Sequence, residues 1–165
     1  MAEQPTSLCR VGESNWRTYR DVRLASLLDT PSAFSSTYAG ESAFTDERWL
    51  ARVHSGSSTW LAMWGDLPVG TATSFRFPEQ GEAETCLVGM WVAGHARGRG
   101  VGEALVGHVI ADARSRGLAR VTLDVAEANH PARDLYERMG FRPTGRRGVL
   151  PHDESIVELE MALEL

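Results

Sequence analysis

Met90-Trp91-Val92-Ala93-Gly94-His95-Ala96-Arg97-Gly98-Arg99-Gly100-Val101-Gly102 decides how the rest of the chain is read. An apolar run from Cys86 to Val92 leads into it, and a helical stripe of Val101, Leu105, Val106, Val109, Ile110 and Ala113 leads out. The glycines and arginines therefore fall where a strand hands over to a helix. The first turn of a helix presents unpaired N–H groups and the positive end of its dipole. Glycine lets backbone come close to a bulky anion, and Arg97 and Arg99 add charge and forked donors. The stretch reads as a cradle for a pyrophosphate, or otherwise as a plain glycine-rich helix cap.

Two common phosphate loops do not fit. A Walker A loop requires lysine, and the chain contains none. A dinucleotide fingerprint requires a third glycine where Glu103 stands, and a start directly after the strand, where Ala93 to Arg97 intervene. What fits is R-x-x-G-x-G over Arg97 to Gly102 behind a strand ending at Val92. That pattern resembles the coenzyme A loop of the GNAT superfamily of acyl-CoA-dependent N-acetyltransferases.

Composition sets the frame. The 165 residues suit one domain with a sizeable core, and 42% hydrophobic with 24% charged residues is ordinary for a globular chain. The net charge of −5 speaks against nucleic acid as the main partner. No apolar run reaches membrane-spanning length, and a start carrying Glu3 and Gln4 has no signal-peptide pattern, so a cytoplasmic protein is expected. Cys9 and Cys86 lie far apart, and neither a disulfide framework nor a zinc site is implied. All 17 Lys-plus-Arg positions are arginine, which reads as the codon bias of a GC-rich bacterial source. A monomer or a homodimer is equally compatible with these features.

Taken in order, Leu8 to Val11 reads as a first strand, and Ser14 or Asn15 can cap a helix carrying Trp16, Tyr19, Leu24 and Leu27. Residues 33–43 read as a loop with one helical turn, and Thr45 caps a helix over Asp46 to His54. Trp60 to Trp64 and Val69 to Phe77 form a hairpin about Gly65-Asp66. Glu84 to Val92 feeds the glycine loop, with Gly89 marking a bulge or a close approach of backbone. After the long helix, which ends at Gly117, come a buried strand, Arg120 to Val125, and a helix opened by Pro131 and closed by Gly140. A strand begins at Phe141, and a last one alternates Val157, Leu159, Met161 and Leu163 with Glu158 and Glu160. The order predicts a single α/β domain over 1–165: a mixed, largely antiparallel sheet of six or seven strands flanked by about four helices; the resemblance implies that residues 12–80 lie on the acceptor side and 84–141 form the acetyl-CoA-binding core.

The second half strengthens the resemblance. Leu123-Asp124-Val125-Ala126-Glu127-Ala128-Asn129, followed by Ala132-Arg133-Asp134-Leu135-Tyr136-Glu137-Arg138-Met139-Gly140-Phe141, is similar to the family pattern L-x-V-x-x-x-N-x-x-A-x-x-L-Y-x-x-x-G-F. The resemblance implies acetyl-CoA as acyl donor, an amine acceptor, direct transfer in a ternary complex, and no metal. It puts the pantetheine arm between the Glu84–Val92 and Arg120–Val125 strands, paired with the backbone of Met90 and Val92 beside Trp91. It puts the pyrophosphate on Arg97, Gly98, Arg99, Gly100, Val101, Gly102 and Glu103, a pantetheine amide on Asn129, and the sulfur at the hydroxyl of Tyr136. Each residue also has a plainer reading: Asn129 before His130-Pro131 caps a helix, and Tyr136 before Gly140-Phe141 fills a core. A phenol near ~10 can protonate a departing thiolate whose parent pKa is near ~8.5.

A neutral amine must attack. Neutralising a lysine-like amine at pH 7 costs about 4–5 kcal/mol, an α-amine only about 1. A carboxylate base is expected, and the histone-type branch of the family carries its glutamate where this chain has Cys86. Asp124, aligned with the glutamate of the branch acting on a ribosomal protein's N-terminal alanine, ranks first, and Glu84, on the face of Cys86, ranks second. Phe34, Tyr38 and Asp153 are the acceptor-side candidates, with Arg76 and Arg142 as carboxylate binders for an amino-acid acceptor. A rival reading keeps the fold as a non-catalytic acyl-CoA sensor.

Overall fold

A computed structural model describes residues 4–165; the acidic start at Glu3 lies outside the described residues. Seven strands form one sheet: β1 (Ser7–Arg10), β2 (Ser58–Trp64), β3 (Leu67–Phe75), β4 (Glu84–Val92), β5 (Arg120–Ala126), β6 (Arg142–Leu150) and β7 (Asp153–Glu164). Five helices flank it: α1 (Trp16–Asp29), α2 (Tyr38–Ser42), α3 (Asp46–Val53), α4 (Val101–Ser115) and α5 (His130–Arg138). The helical turn expected within 33–43 is α2, which Thr37 caps by accepting the Gly40 amide at 3.1 Å. Thr45 caps α3 in the same way through Arg48. Asn15 precedes α1 but does not cap it: its carboxamide oxygen takes the Gly12 amide at 2.7 Å and its nitrogen gives to the Arg10 carbonyl. The side chain closes the loop behind it rather than the helix ahead.

The strand order is β1-β2-β3-β4-β5-β7-β6. Every neighbouring pair is antiparallel except β4 and β5, which α4 connects as a crossover. That parallel pair is short. Glu84 to Cys86 faces Arg120 to Thr122, and beyond Cys86 the two strands no longer pair. A wedge opens in the middle of the sheet.

The sheet has two covered faces. The predicted stripe of α4 packs on one, with Val101, Leu105, Val106, Val109, Ile110 and Ala113 buried against Trp60, Ala62, Leu87, Val121 and Leu123. On the other, α1 and α3 bury Trp16, Tyr19, Val22 and Trp49 against Leu61. Gly89 is indeed a bulge: Thr71 pairs with Trp91 and Thr73 with Val88, so two residues of β4 oppose one of β3, and Gly89 has φ +60°. The extra residue re-phases the strand. Val88 and Trp91, three apart, both face α1, while Met90 and Val92 pack toward α4.

Candidate active site

The wedge between β4 and β5 is bordered by some of the sequence-predicted residues and not by others. Ala93 donates its amide to Val69 of β3 at 2.8 Å, so the N–H and C=O of Val92 point the other way, to the open edge. Arg97 reaches that edge: its Nε donates to the Val92 carbonyl at 2.9 Å. Its Nη2 turns away from the glycine loop and meets Asp29, the last residue of α1, at 2.6 Å. The Trp91 indole N–H reaches the same Asp29 oxygen at 3.0 Å. Hydrogen bonds from Trp91 and Arg97 hold the Asp29 carboxyl below the usual range. Arg97 thus ties the end of α1 to the loop, a partner that motif spacing does not reveal.

The loop itself fits a phosphate group. Gly98 and Gly100 have φ of +72° and +79°, and a Cβ at either would meet nothing within 4 Å, so the loop surface is open. Gly100 starts α4, whose first hydrogen bond is Ala104 to the Gly100 carbonyl; the amides of Val101, Gly102 and Glu103 are left without a helical acceptor. Gly102 lets α4 lie against α5: a Cβ there would stand 3.0 Å from Leu135. Arg99 is exposed with its guanidinium 5.6 Å over the Trp64 ring, and Glu103 pairs with Arg138 at 3.4 Å. Open N–H groups, a helix dipole and one free guanidinium are the donor set a diphosphate needs.

On α5, Asn129 caps the helix through its oxygen, accepting the Ala132 amide at 3.3 Å. Its Nδ2 has no hydrogen-bond partner among the described residues. Tyr136 is 6% exposed, its ring edge-on to Phe141 at 5.9 Å. Its hydroxyl has no hydrogen-bond partner among the described residues. Burial, and then the neighbouring Cys86, push the phenol pKa upward, so it is held protonated. Cys86 itself is buried and its thiol is pushed up to about 12, chiefly by desolvation.

Asp124 stands on β5 two residues past the last β4 pairing, opposite Glu160 of β7 and on the same face as Thr122. It is exposed to water, yet enough protein surrounds it to raise its carboxyl pKa, with the Glu160 charge adding to the rise and Arg146 opposing it. Glu158 on the same face is raised for the same reason, burial first and the Asp124 charge second. Glu84 lies elsewhere. It begins β4 at the closed end, where Arg120 holds it at 3.6 Å, six residues and about 20 Å of extended strand from Met90.

The acceptor-side candidates divide. Phe34 is buried, its carbonyl 2.7 Å from His152 in the β6–β7 turn, whereas Tyr38 is 40% exposed. Asp153 beside that turn accepts from Ser155. Arg142 spends its guanidinium on the carbonyls of Glu137 and Phe141. By sequence alone Glu41, with Asp153 and Glu154, can supply a negative rim for a cationic amine; the structure instead buries Glu41 between two arginines. Glu41 of α2 is 2% exposed and accepts two hydrogen bonds each from Arg23 and Arg52, all between 3.0 and 3.1 Å. Burial alone would raise its pKa; the two guanidiniums override that and hold it at about 2. Among the described residues no three metal-ligating side chains gather, and no helix is long and apolar enough to cross a membrane.

Comparison with known proteins agrees with this layout. N-acetyltransferase 8B of Rattus norvegicus is 36% identical over 93 residues, covering 55% of this chain and 42% of the relative. The chain spans half or less of the length of the curated relatives it matches. The yncA structure of Salmonella typhimurium, solved with its cofactor acetyl-CoA, superposes with a TM-score of 0.81 at 15% identity over 98% of this chain and 94% of that one. The ribosomal-protein-alanine N-acetyltransferase of Brucella melitensis does so with 0.78 at 20% identity, over 96% and 99%. The acetyltransferase (GNAT) family model matches residues 22–141, from the middle of α1 through the end of the Tyr136 block, and the chain belongs to that family.

Proposed function

We propose that this chain moves the acetyl group of acetyl-CoA onto a primary amine, by direct attack within a ternary complex. One observation carries the reading: the open edge of β4 runs from the glycine-cradled start of α4 down to a buried, protonated Tyr136. Acetyl-CoA supplies an activated thioester. The Met90 and Val92 backbone, the Gly98–Glu103 amides, Arg99 and Asn129 Nδ2 would hold it.

The chain's own groups account for the proton balance. The amine nitrogen forms a bond to the acyl carbon as the C–S bond breaks. Asp124 accepts the proton that the attacking nitrogen gives up, directly or through water, and its raised pKa makes it a stronger base than an ordinary aspartate. Tyr136 donates its phenolic proton to the departing sulfur. A Val92 N–H on the open edge is placed to polarise a carbonyl. Glu84 is committed to Arg120, so the base role rests on Asp124. A thiol near 12 makes Cys86 a poor nucleophile, which favours direct transfer over an acyl-cysteine. Arg97, turned to Asp29, is a positioning residue for the loop. The composition supports a bacterial, cytoplasmic setting for the reaction.

Release of free thiol from acetyl-CoA, read with polyamines, aminoglycosides, free amino acids and N-terminal peptides, tests the proposal. Turnover with one class supports it. Acetyl-CoA binding with no thiol released by any of them would leave an acyl-CoA sensor instead.

A further inference from the structure

Arg23 carries a polar atom with no partner. The residue is 9% exposed, Nε and Nη2 are spent on Glu41, and Nη1 is buried without a hydrogen bond. An unmade hydrogen bond on a buried charged group is costly, and such a donor calls for a partner: a bound water, an ion or a ligand. Its direction is specific. A Cβ built on Gly89 would lie 3.7 Å from Arg23 Nη1 and 3.9 Å from the Thr73 hydroxyl, so the free N–H faces the β4 bulge, one residue before Met90. Two guanidiniums share one carboxylate here, which leaves a positive charge uncompensated beside the bulge.

The opposite side of the wedge is negative. Asp124, Glu158 and Glu160 line the same face of β5 and β7 that α1 covers on β3 and β4. The site therefore has a basic pole at Gly89 and an acidic pole at Asp124. Phe34 lies over the Arg23 guanidinium at 4.9 Å and closes it from water. The Phe34 side chain has no hydrogen bond to lose on turning aside.

We infer that Arg23 is the anchor for a carboxylate on the acceptor, so the acceptor is a zwitterion of the amino-acid type. Its carboxylate takes the Nη1 proton donor at the bulge, and its ammonium faces Asp124. Phe34 turns to admit it and becomes the apolar wall. An α-amine also suits the chemistry, because roughly a tenth of it is already neutral at pH 7. This inference rests on the transferase reading above.

The test compares thiol release with each free L-amino acid against its carboxamide, with spermidine alongside. The expected result is a 10–100-fold preference for the free acid in kcat/KM, mostly in KM, the worth of one charge-assisted hydrogen bond. Arg23→Met leaves Glu41 paired with Arg52, one charge of each sign, so folding is preserved, and acetyl-CoA binding by thermal shift checks it. In that variant the acid-to-amide ratio should fall to near one while turnover of the amide is kept; Arg52→Met, which leaves Arg23 paired with Glu41, should keep the preference for the acid. Equal use of acid and amide by the unaltered protein, a preference for spermidine, or a ratio that survives the Arg23 change would overturn the inference and leave the transferase intact. No thiol release from any acceptor would overturn both.

Discussion

The half proposed to hold acetyl-CoA and the half proposed to take the acceptor are stabilised by different means. From Glu84 to Phe141, apolar side chains do most of the packing, and what is left open is backbone. Six residues of α4 are buried against the sheet, and the loop before it offers bare amides. From Trp16 to Val53, a buried carboxylate between two arginines stands inside an aromatic shell of Tyr19, Phe34, Phe44 and Trp49. The first half is written in glycines and periodicity, as suits its proposed role of binding one constant ligand. The second uses side chains fixed by partners far away in sequence, as suits its proposed role of selecting an acceptor.

The first way to sharpen that contrast is Tyr136→Phe. It removes one oxygen from a packed ring, so the melting temperature and acetyl-CoA affinity should hold. The rate of acetyl transfer should fall about 10²–10⁴-fold in kcat and kcat/KM alike. A full single-turnover rate would show that Tyr136 only fills the core.

Glu41→Ala attacks the other half. It strands two guanidiniums and should cost about 3–5 kcal/mol by urea unfolding. The same carboxylate fixes a pH signature. Its pKa drops from an ordinary 4.5 to about 2 on folding, so its contribution is complete above pH 4.5 and is lost as pH falls from there toward 2. Stability that stays flat through that window would mean that the ion pairs form no better than they do in the unfolded chain.

Saturating acetyl-CoA, at a hundred times its Kd, should stabilise the protein by about 2.7 kcal/mol. Gly100→Glu should abolish that gain, because it sets a side chain and a negative charge at a left-handed position in the cradle. An equal gain from NADH would break the link between this loop and coenzyme A.

The smallest effect should come from Asp124→Asn, since water can replace a base. Its kcat/KM should be down about 10-fold or more near pH 6, recovering as the free amine appears unaided at higher pH. In the unaltered protein the acidic limb should lie above the ordinary aspartate value, because burial and Glu160 raise this carboxyl. An unchanged profile in the variant would assign the proton to solvent.

Read alone, the sequence determined whatever depends on neighbours within about a dozen residues. The bounds of β4 and the buried stripe of α4 follow from side-chain period, and the caps at Thr45 and Asn129 from local hydrogen-bond chemistry. The bulge follows from the one residue that tolerates its backbone, Gly89, and the family from two blocks with fixed internal spacing. Tertiary structure decided the rest. It opened the wedge after Cys86, turned Arg97 from the loop to Asp29, 68 residues away, and engaged Glu84 with Arg120. It also brought Arg23, Glu41 and Arg52 into one buried cluster whose free edge faces the bulge. A charged side chain carries no periodicity that names its partner. Its role is set by the packing of three helices on one sheet face, and that packing is a property of the whole fold.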